Sequence, residues 1–131
     1  MARILLDSTF LHDLVRDESA AVDKLDELIE ERTPVAISAI SVFEVGVGLR
    51  GDAEKYLETF HETLDEISIR PFGPLGAWEA VQIQHELLDR GKRIGAVDVL
   101  IAGKARSHGM TVLTRNVDEF ERVDGLAVET Y

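Results

Sequence analysis

Five short apolar runs, Arg3–Leu6, Val35–Ser38, Ile67–Arg70, Thr111–Thr114 and Leu126–Val128, are separated by stretches whose apolar residues fall at helical spacing. This alternation constrains the fold more than any other feature. Each helical stretch carries the chain back to the start of the next strand, so the strands run parallel and helices cover both faces of the sheet. The stripes are Ala21, Val22, Leu25, Leu28 and Ile29; then Ala53, Tyr56, Leu57, Phe60 and Leu64; then Leu75, Trp78, Val81, His85 and Leu88; then Ala96 to Arg106. Thr33-Pro34 and Ser107-His108-Gly109 supply stops, and Ser8 or Thr9 is a candidate cap for a first helix over Phe10 to Val15. The expected fold is an α/β domain over 1–131 with a central parallel sheet of four to five short strands and helices on both faces. With 131 residues and no repeat or linker, one domain accommodates the whole chain.

Several function classes drop out at this stage. There is no cysteine, hence neither a disulfide framework nor a thiolate metal site. No apolar stretch reaches the ~18–20 residues of a membrane span; Val35 to Phe43 is broken by serines and ends at Glu44. Met1 to Leu6 meets Asp7 too early for a signal peptide, so a cytoplasmic location without membrane contact is expected. The net charge of −11, from 25 acids against 14 bases, argues at first against nucleic acid as a partner. Ten of the bases are Arg and four are Lys. An acidic, lysine-poor surface is also what a salt-rich cytoplasm selects, and we carry a halophilic source as an expectation.

Most acids lie on polar helix faces. Three do not: Asp7 ends an apolar strand, Glu44 is the only charge between Val35 and Leu49, and Asp98 is the only charge between Ile94 and Gly103. An ionised carboxylate in apolar surroundings costs several kcal/mol unless paired, neutralised or bound to a cation. Taken alone, Asp98 reads equally as an early-turn acid favoured by the helix dipole. Together, the three fall near strand–helix junctions, where open parallel sheets bind ligands. The strand over Thr111–Thr114 runs into Arg115-Asn116-Val117-Asp118 at the same edge. Crowded carboxylates raise one another's pKa, and a hard divalent cation, Mg²⁺ or Mn²⁺, relieves that repulsion with oxygen ligands alone. Such a site hydrolyses phosphodiesters.

The segments Leu5-Leu6-Asp7-Ser8, Ser38 to Val45, Asp98-Val99-Leu100-Ile101-Ala102 and Leu113 to Phe120 together resemble a PIN-domain ribonuclease of the VapC toxin type, in order along the whole chain. The resemblance implies a three-layer sandwich, divalent-metal-dependent RNA cleavage, usually a homodimer, and a cognate antitoxin that blocks the site, often with a basic side chain. It assigns Asp7, Glu44 and Asp98 to the core acids, Asp7 and Asp98 as principal metal ligands and Glu44 as ligand or as the group that orients the attacking water. The fourth position carries Asn116, with Asp118 two residues on, where many members carry an acid. Thr114 is expected to hold the acids or a phosphate, and Arg115 to contact the RNA backbone.

Other readings compete. Gly46-Val47-Gly48-Leu49-Arg50-Gly51 has the letters of a dinucleotide motif, with Asp65 and Glu66 downstream, but it closes a helix instead of joining a strand to one. A phosphoacceptor receiver domain needs an aspartate after the third strand and a lysine after the fifth. Ile69-Arg70-Pro71 has no aspartate, and no lysine follows Lys104. A housekeeping RNA-processing PIN nuclease is the nearer alternative, and a pure binding module has no use for the acids. His12, His61, His85 and His108 form no spaced ligand pair and are expected in packing or solvent. Tyr56, Phe60, Trp78 and Leu88 read first as core, with a dimer face as the alternative. An RNA approaching this acidic chain needs a local arginine patch, with Arg93, Arg106 and Arg115 as candidates.

Overall fold

The computed structural model describes residues 3–131. Five strands form one sheet: β1 (Ile4–Leu6), β2 (Val35–Ser38), β3 (Ser68–Arg70), β4 (Thr111–Leu113) and β5 (Ala127–Glu129). All four pairings are parallel and the order is β3-β2-β1-β4-β5. The helices are α1 (Ser8–Val15), α2 (Ser19–Glu30), α3 (Ala39–Gly48), α4 (Glu54–Glu66), α5 (Gly73–Asp89), α6 (Ala96–Ser107) and α7 (Val117–Phe120).

Alternation along the strands makes the two halves of the core. Leu5, Ala36 and Val112 point to one face, where they meet Ile83 and Leu87 of α5, Ile101 and Ala105 of α6, and Phe120. Ile4, Leu6, Ile37 and Leu113 point to the other, against Phe10, Leu11, Leu28, Val45 and Phe60 from α1 to α4. A sheet covered on both faces needs apolar residues on both, which is why β1 is apolar without interruption and fully buried.

The strand order separates the rival folds. Receiver-type domains have the order 2-1-3-4-5, whereas here the chain runs outward from β1 through β2 to β3 and then crosses back over to β4 on the other side of β1. The chain reverses between β1 and β4, and the cleft outside that junction is where such sheets bind ligands. The glycines of the decoy motif do not join a strand to a helix. Gly46 and Gly48 are inside α3, and Gly51 turns the chain after it at φ +80°.

On the outside, the expected core aromatics divide. Phe60 is buried and Tyr56 half-buried, but Trp78 and Leu88 are 68% and 47% exposed, so those two are not core. The α5–α6 pair is held by small residues: a Cβ on Gly103 would lie 2.6 Å from the Gly76 carbonyl oxygen and 2.8 Å from Ala80. No helix among the described residues is long and apolar enough to cross a membrane.

Candidate active site

Asp7 follows directly on β1 and is 1% exposed. The helix behind it begins two residues earlier than the apolar pattern suggests, and its cap is Asp7 itself instead of Ser8 or Thr9. The Thr9 hydroxyl and the Phe10 N–H donate to Asp7 Oδ1 at 2.8 and 2.9 Å, and the Thr114 hydroxyl donates to Oδ2. A carboxylate offers about four lone-pair sites; three are taken, which leaves Oδ2 one acceptor direction. Burial raises the Asp7 pKa above the ordinary carboxylate value, against the lowering effect of these donors. The cap and the site acid are one residue, so the two readings of Asp7 coincide.

Thr114 is fully buried at the end of β4. It donates to Asp7 and accepts from the Asn116 N–H at 2.9 Å, so it holds an acid and has no surface to offer a phosphate. Glu44 is half-buried in α3, whose start is fixed by the Ser38 cap on the Ile40 N–H and by a 3.2 Å hydrogen bond from Ser8 to Ser41. It lines a cavity of about 240 Å³ with Ser8, Thr9, His12 and Arg115.

Asp98 sits in the first turn of α6, and its pKa is pushed up to about 8. Burial is the largest cause, followed by a carboxyl–carboxyl hydrogen bond and repulsion with Glu119, then repulsion from Asp7 and Glu44. These four acids therefore share one field at the switch point of the sheet. Asp118, which the sequence suggested as the fourth acid, is exposed, and Asn116 is half-buried and makes no capping bond with its side chain. Glu119 is the group the sequence reading passed over. The signal was there: Phe120 anchors the single turn of α7 in the core, so at ~100° per residue Asp118 lies nearly opposite it and Glu119 beside it.

Arg115 is bound to Asp13, while Arg106 is tied to Glu79 and Glu86 on the α5 side and is not a free surface cation. Arg93 is exposed and its carbonyl accepts from Arg122 at 2.8 Å. His12 Nε2 accepts from Arg16 Nη1 at 2.6 Å, and the other three histidines are exposed.

The donor chemistry suits a hard divalent cation. Every group is an oxygen donor, and a divalent cation would relieve the repulsion from Glu119, Asp7 and Glu44 that helps to raise the Asp98 pKa. Among the described residues, no three His, Cys, Asp or Glu side chains are drawn together closely enough to hold an ion outright.

A parallel sheet in the order β3-β2-β1-β4-β5, with acids sharing one field at its switch point, fits the class of α/β nucleases that work through acidic sites. Known proteins agree. The PIN domain family model matches residues 4–126. Two curated relatives bear the name tRNA(fMet)-specific endonuclease VapC. That of Salmonella typhimurium is 30% identical over 99 residues, 74% of this chain and 75% of its own. That of Shigella flexneri is 29% identical over 133 residues, 100% and 99% of the two chains. Among solved structures, a chain of DNA-bound VapBC from Salmonella typhimurium superposes with TM-score 0.88 at 26% identity, over 99% of this chain and 98% of that one. The protein belongs to the PIN domain family and is a ribonuclease of its VapC branch.

Proposed function

We propose that the protein is the toxin of a type II toxin–antitoxin pair, an endoribonuclease that needs Mg²⁺ or Mn²⁺ and is silenced by a cognate antitoxin. The observation that carries this reading is the shared field of Asp98, Glu119, Asp7 and Glu44 at the β1/β4 switch point. Asp7, Asp98 and Glu119 would hold the cation, which when bound supplies charge for the phosphate oxygens and a more acidic water. Asp7 enters that set with its orientation fixed by Thr9, Phe10 and Thr114. Glu44 borders a neighbouring cavity with Ser8, Thr9 and Arg115, from which it would orient the attacking water or complete the ligand set. Glu119 takes the fourth place in preference to Asp118, and Asn116 adds a neutral carbonyl at most.

The antitoxin is supported by the kind of relative found: the solved neighbour from Salmonella typhimurium bears the name VapBC. Initiator tRNA is the first RNA to test, because two relatives are named for it. A homodimer belongs to the same reading, supported by Leu75, Trp78, Val81 and Leu88 along α5, all at least 43% exposed. A cytoplasmic location fits but adds no support of its own.

The deciding experiment is cleavage of an initiator tRNA transcript, in high salt, by the wild type and by Asp98→Asn, each with Mg²⁺ and with EDTA. Only the wild type with metal is expected to cut, with the variant down by at least about 100-fold, the scale of a lost charge-stabilising group. Cleavage that survives EDTA or the substitution overturns the proposal.

A further inference from the structure

Asp13 is a second buried carboxylate, in α1 and apart from the acid cluster, and only 8% of its side chain is exposed. A lone buried carboxylate costs several kcal/mol unless its partners are good. Its partners come from far along the chain. Arg115 Nη1 donates to both carboxylate oxygens, at 2.9 and 3.0 Å, and the Tyr131 hydroxyl donates to Oδ2. Tyr131 is itself anchored, its ring set edge-on to Phe10 at 4.8 Å between centroids. The Arg115 backbone is held too, its N–H donating at 3.0 Å to the same Thr9 hydroxyl that donates to Asp7. His12 Nδ1, at 3.6 Å from Asp13, is too far to add a hydrogen bond.

The guanidinium has five N–H groups in a rigid fork. Nη1 is committed to Asp13, while among the described residues Nε and Nη2 have no hydrogen-bond partner, and 59% of the side chain is exposed. Arg115 also lines two cavities at once. One, of about 240 Å³, contains Glu44 and His12; the other, of about 400 Å³, contains Asp118, Glu119 and Arg122. Arg115 therefore forms a ridge between the groove of Glu44 and the groove of Glu119, and the uncommitted N–H groups of its fork match a phosphate in shape and charge.

We propose that Asp13 is a positioning residue: with Tyr131 it fixes the Arg115 guanidinium on this ridge, where the fork receives an RNA phosphate beside the acid cluster. The inference rests on the nuclease reading above. Charge and geometry pull in opposite directions here, which makes it testable. Asp13 neutralises Arg115, so removing its charge favours RNA binding. It also releases a long side chain from a fixed pose, and misplacement of a reacting phosphate by ~1 Å costs about 100-fold in rate.

The experiment measures kcat and KM for metal-dependent RNA cleavage, with thermal melting alongside, for the wild type, Asp13→Asn, Arg115→Ala, their double variant and Tyr131→Phe. Asp13→Asn is expected to lose about tenfold or more in kcat, the scale of a charge-assisted hydrogen bond, while KM stays level or falls and becomes steeper in salt. The double variant should be no worse than Arg115→Ala, as for residues acting as a unit. Tyr131→Phe, which keeps the ring on Phe10, should lose a few-fold in kcat at nearly unchanged melting temperature. An Asp13→Asn protein that melts earlier but keeps kcat within about twofold overturns the inference, as do multiplicative losses in the double variant. If Asp13→Asn does not fold, an unchanged kcat in Tyr131→Phe overturns it. Each of these outcomes leaves the nuclease reading standing, whereas a wild type that cuts no RNA in Mg²⁺ removes both.

Discussion

A carboxyl that keeps its proton into the neutral range ties the stability of the fold to pH. In the unfolded chain Asp98 ionises near pH 4; folded, beside Glu119 and near Asp7 and Glu44, it ionises near 8. Between those values the folded protein binds one proton more than the unfolded chain, so stability falls as pH rises through that window and levels above it. Asp98→Asn cannot lose that proton. In EDTA the variant should match the wild type near pH 4 and exceed it at pH 8, by about 1–2 kcal/mol after solvent screening at this half-buried position. Urea melts at the two pH values measure it, and a wild type that gains stability toward pH 8 relative to the variant contradicts the assignment. The isolated acids Asp7, Glu44 and Asp98 were legible because an apolar neighbourhood makes a charge conspicuous. Asp13 was not, since it lies beside His12 in an eight-residue helix too short to show which face is buried, and its partner Arg115 is 102 residues away. Glu119 was hidden differently, by standing next to another acid on a turn too short to show a period.

At the next scale up, the placement of Asp98 depends on how closely α6 lies on α5. Gly103 sits where any side chain would meet the Gly76 carbonyl and Ala80 at under 3 Å. Gly103→Ala forces the helices apart and should cost about 1–3 kcal/mol, the range for overpacking. Because α6 also carries Asp98, RNA cleavage should fall further than stability accounts for, measured at a temperature where the variant remains folded. Activity equal to wild type in a destabilised Gly103→Ala protein would show the site to be insulated from this contact. The same elements show what pattern can and cannot reveal. All five strands fell within a residue or two of the expected runs, because each is a brief apolar burst between polar stops. The helix α7 leaves no pattern in the sequence, since four residues make one turn and carry no periodicity. Only the packing of Phe120 against the sheet defines it.

Over the whole molecule, 25 acids against 14 bases set the terms on which it meets anything else. Two like-charged copies repel, so a dimer through the exposed apolar face of α5 should strengthen with salt, which screens charge within ~10 Å at 0.1 M. Sedimentation across a salt series, for the wild type and Trp78→Glu, tests this. The wild type should run as two chains in high salt and the variant as one, while a monomeric wild type at every salt rules the face out. A surface tuned to a salt-rich cytoplasm would also lose its fold at the dilute end of the same series. The order of the sheet has a further consequence, in time. The strand at its centre is made first, yet Asp7 meets Thr114 across 107 residues of chain, and Glu119 lies later still. A ribosome synthesising this protein therefore carries, until almost all of these residues have emerged, a nascent chain whose first acid has its local partners Thr9 and Phe10 but lacks Thr114, Asp98 and Glu119. Non-local pairing of this kind also folds slowly. The acid cluster would be complete only near the end of synthesis, and an inhibitor made alongside would have that interval in which to arrive.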